Sequence, residues 1–249
     1  MAFGLGCTTR PERTHVLSLS FDDGFKKSTY RTVEIHEEHG LKACINVMAL
    51  GHLGSTNPEP EHMPPQLRGD FDDWNALVQR GHEIMPHSLD HKNLAEMPLE
   101  EAKADIDACL EYFEQHLEGY RSEDAVYNFA YNASTPELDA YALTKVMAVR
   151  TGGWGVLGNG TSVNPMPTPQ GPFRLGCWSY GPDNADRWVE EEVNVFLTGT
   201  GGWLILNLHG LDDEGWGPVS TTYLDALLRR LVKIAHLDVL PVGMALKGI

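Results

Sequence analysis

Short apolar runs of strand character alternate with amphipathic helical stretches about seven times along this chain, and no internal sequence repeat accompanies the rhythm. No other feature constrains the fold as strongly, because parallel strands need crossover helices between them. Strands are expected over Val16–Phe21, Ala43–Met48, His82–Met85, Val126–Tyr131, Lys145–Arg150, Trp203–Leu208 and Leu237–Val242. Helices are expected over Ser28–His39, Asp70–Arg80, Leu99–Leu117 and Ala185–Leu197, with others opening at Ser134 and running through Leu224 to Ile234. Leu50–Gly69, rich in Gly and Pro, reads as a long surface loop, and Gly152–Gly181 reads as irregular. The expectation is a distorted parallel α/β barrel, complete or incomplete.

The 249 residues carry no Pro/Ser-rich linker and no composition break, which predicts one domain over residues 1–249. Hydrophobic residues at 42% and charged residues at 22% fit a soluble globular chain with a substantial core. Nineteen Lys and Arg stand against 35 Asp and Glu, and the formal charge of −16 at pH 7 argues against nucleic acid and anionic membrane surfaces as partners. Neutral or cationic substrates fit better. Cys7, Cys44, Cys109 and Cys177 form no CxxC, so neither a thiolate zinc site nor a dense disulfide framework is indicated. Cys109 falls in an apolar helical stripe and reads as core. No apolar run reaches membrane-spanning length. The first ten residues do not make a complete signal peptide, so the expectation is a cytoplasmic protein or one whose leader has been removed.

In a parallel barrel, chemistry collects where strands end. The run Val16–Phe21 ends in Asp22-Asp23-Gly24, which would place two adjacent carboxylates at one rim with room for different jobs. His87-Ser88-Leu89-Asp90-His91 follows another expected strand, and its four-residue spacing would set two imidazoles on one face of a helical turn. Two imidazoles and one carboxylate leave positions on a zinc ion open for water and substrate, the layout of a catalytic site. Tyr131, Arg150 and His209 complete the set of reactive residues at expected strand ends.

Phe21-Asp22-Asp23-Gly24, His87-Ser88-Leu89-Asp90-His91 and Leu206-Asn207-Leu208-His209, in this order, resemble the first, second and fifth motifs of the polysaccharide deacetylases, the chitooligosaccharide deacetylase homology family. The resemblance runs from about Val16 to Val242 and implies a distorted (β/α) barrel with about seven strands. It implies that Asp23, His87 and His91 bind a divalent metal, usually zinc or else another divalent transition metal. It further implies that Asp22 is the general base and His209 the general acid that protonates the leaving group. Asn128-Phe129-Ala130-Tyr131 resembles the third motif, Arg-x-Pro-Tyr, with Tyr131 as the backbone donor to the oxyanion.

That motif departs from the family at two positions, since Asn128 replaces the Arg that orients the base and Ala130 replaces the Pro. Arg150, on the next strand, is the expected source of the missing charge. The fourth motif is not recognisable, and Asp183, Asp186, Trp154 or Trp178 are candidates for orienting the general acid and walling the site. Trp154, Trp178 and Trp216, with Tyr180, suit stacking on sugar rings and suit equally the anchoring of loops. Trp203 reads as core. The remaining histidines, His36 among them, read as surface or satisfied structural residues.

The expected function is metal-dependent removal of N- or O-acetyl groups from a carbohydrate. The rivals are hydrolysis of a small non-sugar amide on the same scaffold, and a catalytically weak carbohydrate-binding protein. The sequence leaves the oligomeric state open.

Overall fold

The computed structural model describes residues 13–54, 64–153, 163–171 and 173–248. The chain runs β1 (His15–Phe21), α1 (Lys26–Glu38), β2 (Cys44–Val47), α2 (Phe71–Gln79), β3 (Glu83–Pro86), α3 (Leu99–His116), β4 (Val126–Asn128), α4 (Pro136–Ala142) and β5 (Ala148–Gly152). It continues with β6 (Arg174–Cys177), α5 (Asp186–Thr198), β7 (Gly202–Leu208), α6 (Thr221–Leu231), β8 (Leu237–Val239) and α7 (Val242–Lys247). The parallel α/β architecture is the one the alternation predicts. β6 lies inside the stretch read as irregular, because Arg174-Leu175-Gly176-Cys177 is too short to show a period. α7 begins where a strand was expected to continue, since Pro241 ends the extended chain and serves as the helix N-cap. Among the described residues no helix is long and apolar enough to cross a membrane.

Every strand pair in the ladders is parallel. One sheet has the order β3-β2-β1-β7 with β8 also on β1, and the other has the order β4-β5-β6. A bridge between Trp178 and Leu206 carries β6 onto β7. On the opposite seam Asn128 Nδ2 donates to the Pro86 carbonyl oxygen at 3.1 Å, a side-chain link between β4 and β3. The result is a barrel-like arrangement of parallel strands in two sheets.

Alternation along β1 sorts the two sides of this arrangement. Leu17, Leu19 and Phe21 pack outward into a core shared with Val33, Ile35, Phe113 and Leu224 of the helices. Val16 packs inward with Cys44, Val126, Ala148, Leu175, Trp203 and Ile205, and Val242, Ala245 and Leu246 of α7 close that inner cluster. Trp203 is fully buried there, and Cys109 is fully buried in the outer core.

The buried Glu83 carboxylate fastens the plug, accepting hydrogen bonds from the Gly243 and Met244 amides at 3.0 and 2.9 Å. A Cβ at Gly243 would lie 2.6 Å from Glu83 Oε2, so any larger residue would displace that carboxylate from the two amides. Above the apolar plug the interior becomes polar, with Ser18, Ser20, Asn46, Asn128 and Arg150 all buried. Polar groups are expensive to bury without partners, so such a column must be a connected network.

His36 lies buried in α1, with Nδ1 2.7 Å from the Thr32 carbonyl oxygen and its ring edge-on to Phe21. Burial pulls its pKa down to about 4, against a rise contributed by the Thr32 bond. The unfolded chain therefore takes up this proton near pH 6.5, while the fold resists it until about pH 4. Stability from His36 is complete above pH 6.5 and is lost as the pH falls towards 4. Urea unfolding at pH 8 and pH 4.5 should show a loss of about 2–3 kcal/mol assignable to this group. The difference between wild type and His36→Gln isolates it from the carboxylates. Equal pH slopes in the two proteins would contradict the assignment.

Candidate active site

The carboxyl ends of β1, β3, β4 and β7 meet around a cavity of about 360 Å³ lined by Asp22, Asp23, His87, His91, Tyr131, Asn132, Ser179, Asn207, His209 and Trp216. β1 delivers two carboxylates because the chain turns sharply after Asp22. Asp23 has φ of 74° and Gly24 has φ of 69°, and a Cβ at Gly24 would press on Trp74 and Val47 at 3.1 Å. Both Asp22 and Asp23 are buried.

Asp22 sits at the head of the polar column. Arg150 holds it bidentately, with Nη1–Oδ1 at 2.9 Å and Nη2–Oδ2 at 2.5 Å, and Asn46 Nδ2 donates to Oδ1 at 2.7 Å. Ser20 Oγ accepts from both Arg150 and Asn46, and Asn128 Nδ2 donates to Asn46 Oδ1 at 3.0 Å. Arg150 lies within β5 and not at its end, and the ladder pairs it directly with Asn128 of β4. The guanidinium thus enters one strand over from the position where the motif has its Arg. Burial pushes the Asp22 carboxyl up, but the Arg150 charge, with His87, outweighs it and holds the group below the usual carboxylate range.

Asp23, His87 and His91 form the second constellation, with one ligand atom from each lying within 4.8 Å of the others. Asp23 Oδ1 is 3.4 Å from Nε2 of both histidines and, among the described residues, lies within good hydrogen-bond geometry of no donor. His87 Nδ1 stands 3.0 Å from the Asn128 carbonyl oxygen, which fixes its proton there and leaves the Nε2 lone pair towards Asp23. A carboxylate oxygen and two imidazole nitrogens converging at this spacing fit a divalent cation. Burial pulls His91 down to about 4, keeping its imidazole neutral near pH 7.

The helical turn expected to pair the two imidazoles is absent. Ser88 and His91 have φ of 67° and 62°, and a tight turn with a His91 N–H to Ser88 Oγ bond of 2.9 Å brings the rings to 5.2 Å between centroids. The same conformation recurs across the cavity. Of the six described non-glycine residues with positive φ, Asp23, Ser88, His91, Tyr131 and Asn132 surround the site, and only Asp212 lies elsewhere. Left-handed backbone costs on the order of 1 kcal/mol per residue, so its concentration here marks the site as the place where local conformation is sacrificed to geometry.

Tyr131 follows β4 in a short turn instead of ending the strand, is half-exposed, and rests against the His91 ring at 4.7 Å between centroids. His209, just past β7, is partly buried, and its buried Nδ1 has no hydrogen-bond partner among the described residues. Burial lowers its pKa, with Asp23 and Asp22 acting in the other direction. Neither Asp183 nor Asp186 orients it, and the Asp186 carboxylate is taken up by the Ser220 amide at 2.7 Å and by the Ser220 hydroxyl. Trp216 walls His209 edge-on at 5.3 Å and packs so closely on Gly181 that a Cβ there would lie 2.5 Å from its ring. Trp178 is exposed beside β7 and does not line the cavity. Trp154 lies outside the described residues. Asn132, Ser179 and Asn207 line the cavity without having been singled out, although Asn207, on the same side of β7 as His209 by alternation, is readable in retrospect from that motif.

The sequence pattern that defines the family described as "Polysaccharide deacetylase" matches residues 9–142. No curated protein matches the chain. Among solved structures, a protein of Mycobacterium smegmatis described as a polysaccharide deacetylase superposes with a TM-score of 0.70 at 12% identity, covering 97% of this chain and 92% of that one. A family 4 acetyl xylan esterase from Clostridium thermocellum, solved with a cobalt ion, gives 0.57 at 17% identity over 94% and 92% of the two chains. The peptidoglycan deacetylase PdaC from Bacillus subtilis gives 0.55 at 16% identity over 94% and 91%. At these identities the superpositions establish likeness of fold.

Proposed function

Because this chain belongs to the polysaccharide deacetylase family, we propose that it is a metal-dependent hydrolase that removes acetyl groups from a carbohydrate. Asp23, His87 and His91 would hold the divalent cation, zinc being the first candidate from their donor set. A bound cation of this kind polarises the acetyl carbonyl and makes water acidic enough to lose a proton near neutral pH.

The chain's own residues supply the rest. Asp22, kept anionic by Arg150, accepts the proton of the attacking water as general base. The Tyr131 backbone amide donates to the developing oxyanion. His209 carries a proton to the departing alkoxide or amine. Trp216 shields His209 from one side and offers a ring at the cavity wall for the sugar.

The observation that carries this reading is the placement of an arginine-held carboxylate beside an Asp–His–His cluster of metal-ligand spacing in one cavity. The similar structures include an acetyl xylan esterase and a peptidoglycan deacetylase, so the test must span both ester and amide linkages. Acetate release should be measured on acetylated xylan, chitooligosaccharides and peptidoglycan fragments. Release should vanish on chelation, return with zinc, and fall by about 10³-fold or more in Asp22→Asn. Zinc binding without release from any of the three would sink the proposal.

A further inference from the structure

Two side-chain amides joined by a hydrogen bond, those of Asn132 and Asn207, line the cavity together with the Asp–His–His cluster. Asn207 is buried on β7 and pairs in register with Ser20, whereas the backbone amide of Asp22 meets the Leu208 carbonyl oxygen at 2.8 Å. Asn207 therefore lies one inward-facing step below the layer of Asp22 and His209. Its Oδ1 accepts from Asn132 Nδ2 at 3.0 Å, which turns its own NH₂ group away from Asn132. Among the described residues the one hydrogen bond of that NH₂ is a long 3.4 Å approach to the neighbouring Leu208 carbonyl oxygen.

Asn132 is itself immobilised. Its φ of 51° suits asparagine, its carbonyl oxygen accepts from Thr151 Oγ1 at 3.0 Å, and its Oδ1 receives the Cys177 thiol at 3.2 Å. Its Nδ2 also approaches Ser179 Oγ at 3.4 Å. The pair thus presents a buried, preorganised donor whose hydrogen-bonding capacity is largely unused, and a buried donor in that state costs about 1–3 kcal/mol until something accepts from it.

We infer that Asn207 Nδ2, positioned by Asn132, donates a hydrogen bond to the substrate's acyl group, and that the site prefers an acyl carrying a hydrogen-bond acceptor on its α-carbon over a purely hydrocarbon one. The inference rests on the deacylase reading above and deepens it. The bond to be cleaved must lie level with Asp22 and His209, and the carbohydrate must leave towards solvent. The acyl chain is therefore the part of the substrate that points inward, towards Asn207. A hydroxymethyl substituent, as in a glycolyl group, meets the amide, and an ethyl group of the same size leaves it unpaired. An apolar replacement for a hydrogen-bonding group is rejected more strongly than its size alone would dictate.

The test is calorimetric binding of glycolohydroxamic acid and propionohydroxamic acid to the zinc-loaded protein. The two probes share the metal-binding head and differ only in an OH against a CH₃. Wild type should bind the glycolo compound about 10–100-fold more tightly. Asn207→Leu should erase or invert that ratio while zinc affinity stays as in wild type. Asn132→Ala, at the cavity wall, should shrink the ratio by freeing the Asn207 amide, and it keeps the inference testable if Asn207→Leu does not fold. Equal affinities in wild type, or a ratio that survives in Asn132→Ala, would overturn the inference while leaving the deacylase reading intact. Failure to bind zinc would overturn both.

Discussion

Arg150→Met lowers kcat by about 10²–10³-fold, and the acid limb of its kcat/KM profile moves to higher pH. The expectation follows from what Arg150 touches. Its guanidinium forms both hydrogen bonds of a bidentate pair with Asp22, and both groups are fully enclosed. Removing one partner of such a pair leaves an uncompensated buried charge at a cost of about 3–5 kcal/mol. Asp22 can relieve that cost by taking a proton, since burial alone raises its pKa and Arg150 is the main force opposing it. A general base works only when deprotonated, so a raised pKa removes activity at neutral pH and restores part of it as the pH rises.

Because the ladder pairs Arg150 with Asn128, the double variant Asn128→Arg/Arg150→Asn returns the guanidinium to the family's usual strand and should recover turnover and the acid limb together. Arg150→Lys retains the charge without the fork and should fall between the two. Zinc stoichiometry in each protein checks that the cavity is intact. An unchanged acid limb in Arg150→Met would show that Asn46 and His87 suffice to hold Asp22 anionic.

What could be read from the sequence was chemistry and rhythm. Asp22, Asp23, His87, His91 and His209 stand in motifs whose order and strand-end placement are visible in a string of letters, and the alternation of periods 2 and 3.6 marks most elements. Geometry set by the backbone was not visible. The left-handed φ at Asp23, Ser88, His91, Tyr131 and Asn132 is chosen by tertiary packing over intrinsic preference, and nothing in Ser88-Leu89-Asp90 announces it. A helical turn was the local default for His87 and His91, and the packed turn prevailed.

Register was equally hidden. That Arg150 lies across from Asn128 depends on how β4 and β5 slide against each other, and a slip of one residue would have turned the guanidinium out of the barrel. Asn132 and Asn207 escaped notice because an asparagine carries no signature until its partners are known. The fourth motif, not recognisable in the sequence, is the converse case. The residue that does wall His209 is Trp216, from a loop fastened by Glu214 to the Ser28 amide at 2.9 Å and by Asp212 to the Thr221 amide at 2.8 Å.

The two adjacent carboxylates should separate cleanly in a second experiment. In wild type, zinc at a hundredfold excess over its dissociation constant should stabilise the fold by about 2.7 kcal/mol, a rise in Tm of about 5–10 °C for a chain of this size. Asp23→Asn should lose that shift, because Asp23 Oδ1 lies between the two Nε2 atoms and no other carboxylate joins the cluster among the described residues. His91→Ala should lose it too, and both losses should exceed the 10–100-fold drop in metal affinity that follows removal of a supporting partner. Asp22→Asn should keep the shift and lose turnover, since Asp22 is spoken for by Arg150 and Asn46. In the proposed assignment one neighbour would bind and the other react because the backbone reverses between them: Asp22 follows the extended strand β1 and faces the polar column, and Asp23 opens a left-handed turn towards the histidines. Retention of the zinc shift in Asp23→Asn, or its loss in Asp22→Asn, would reverse that division of labour and with it the proposed assignment of base and ligand.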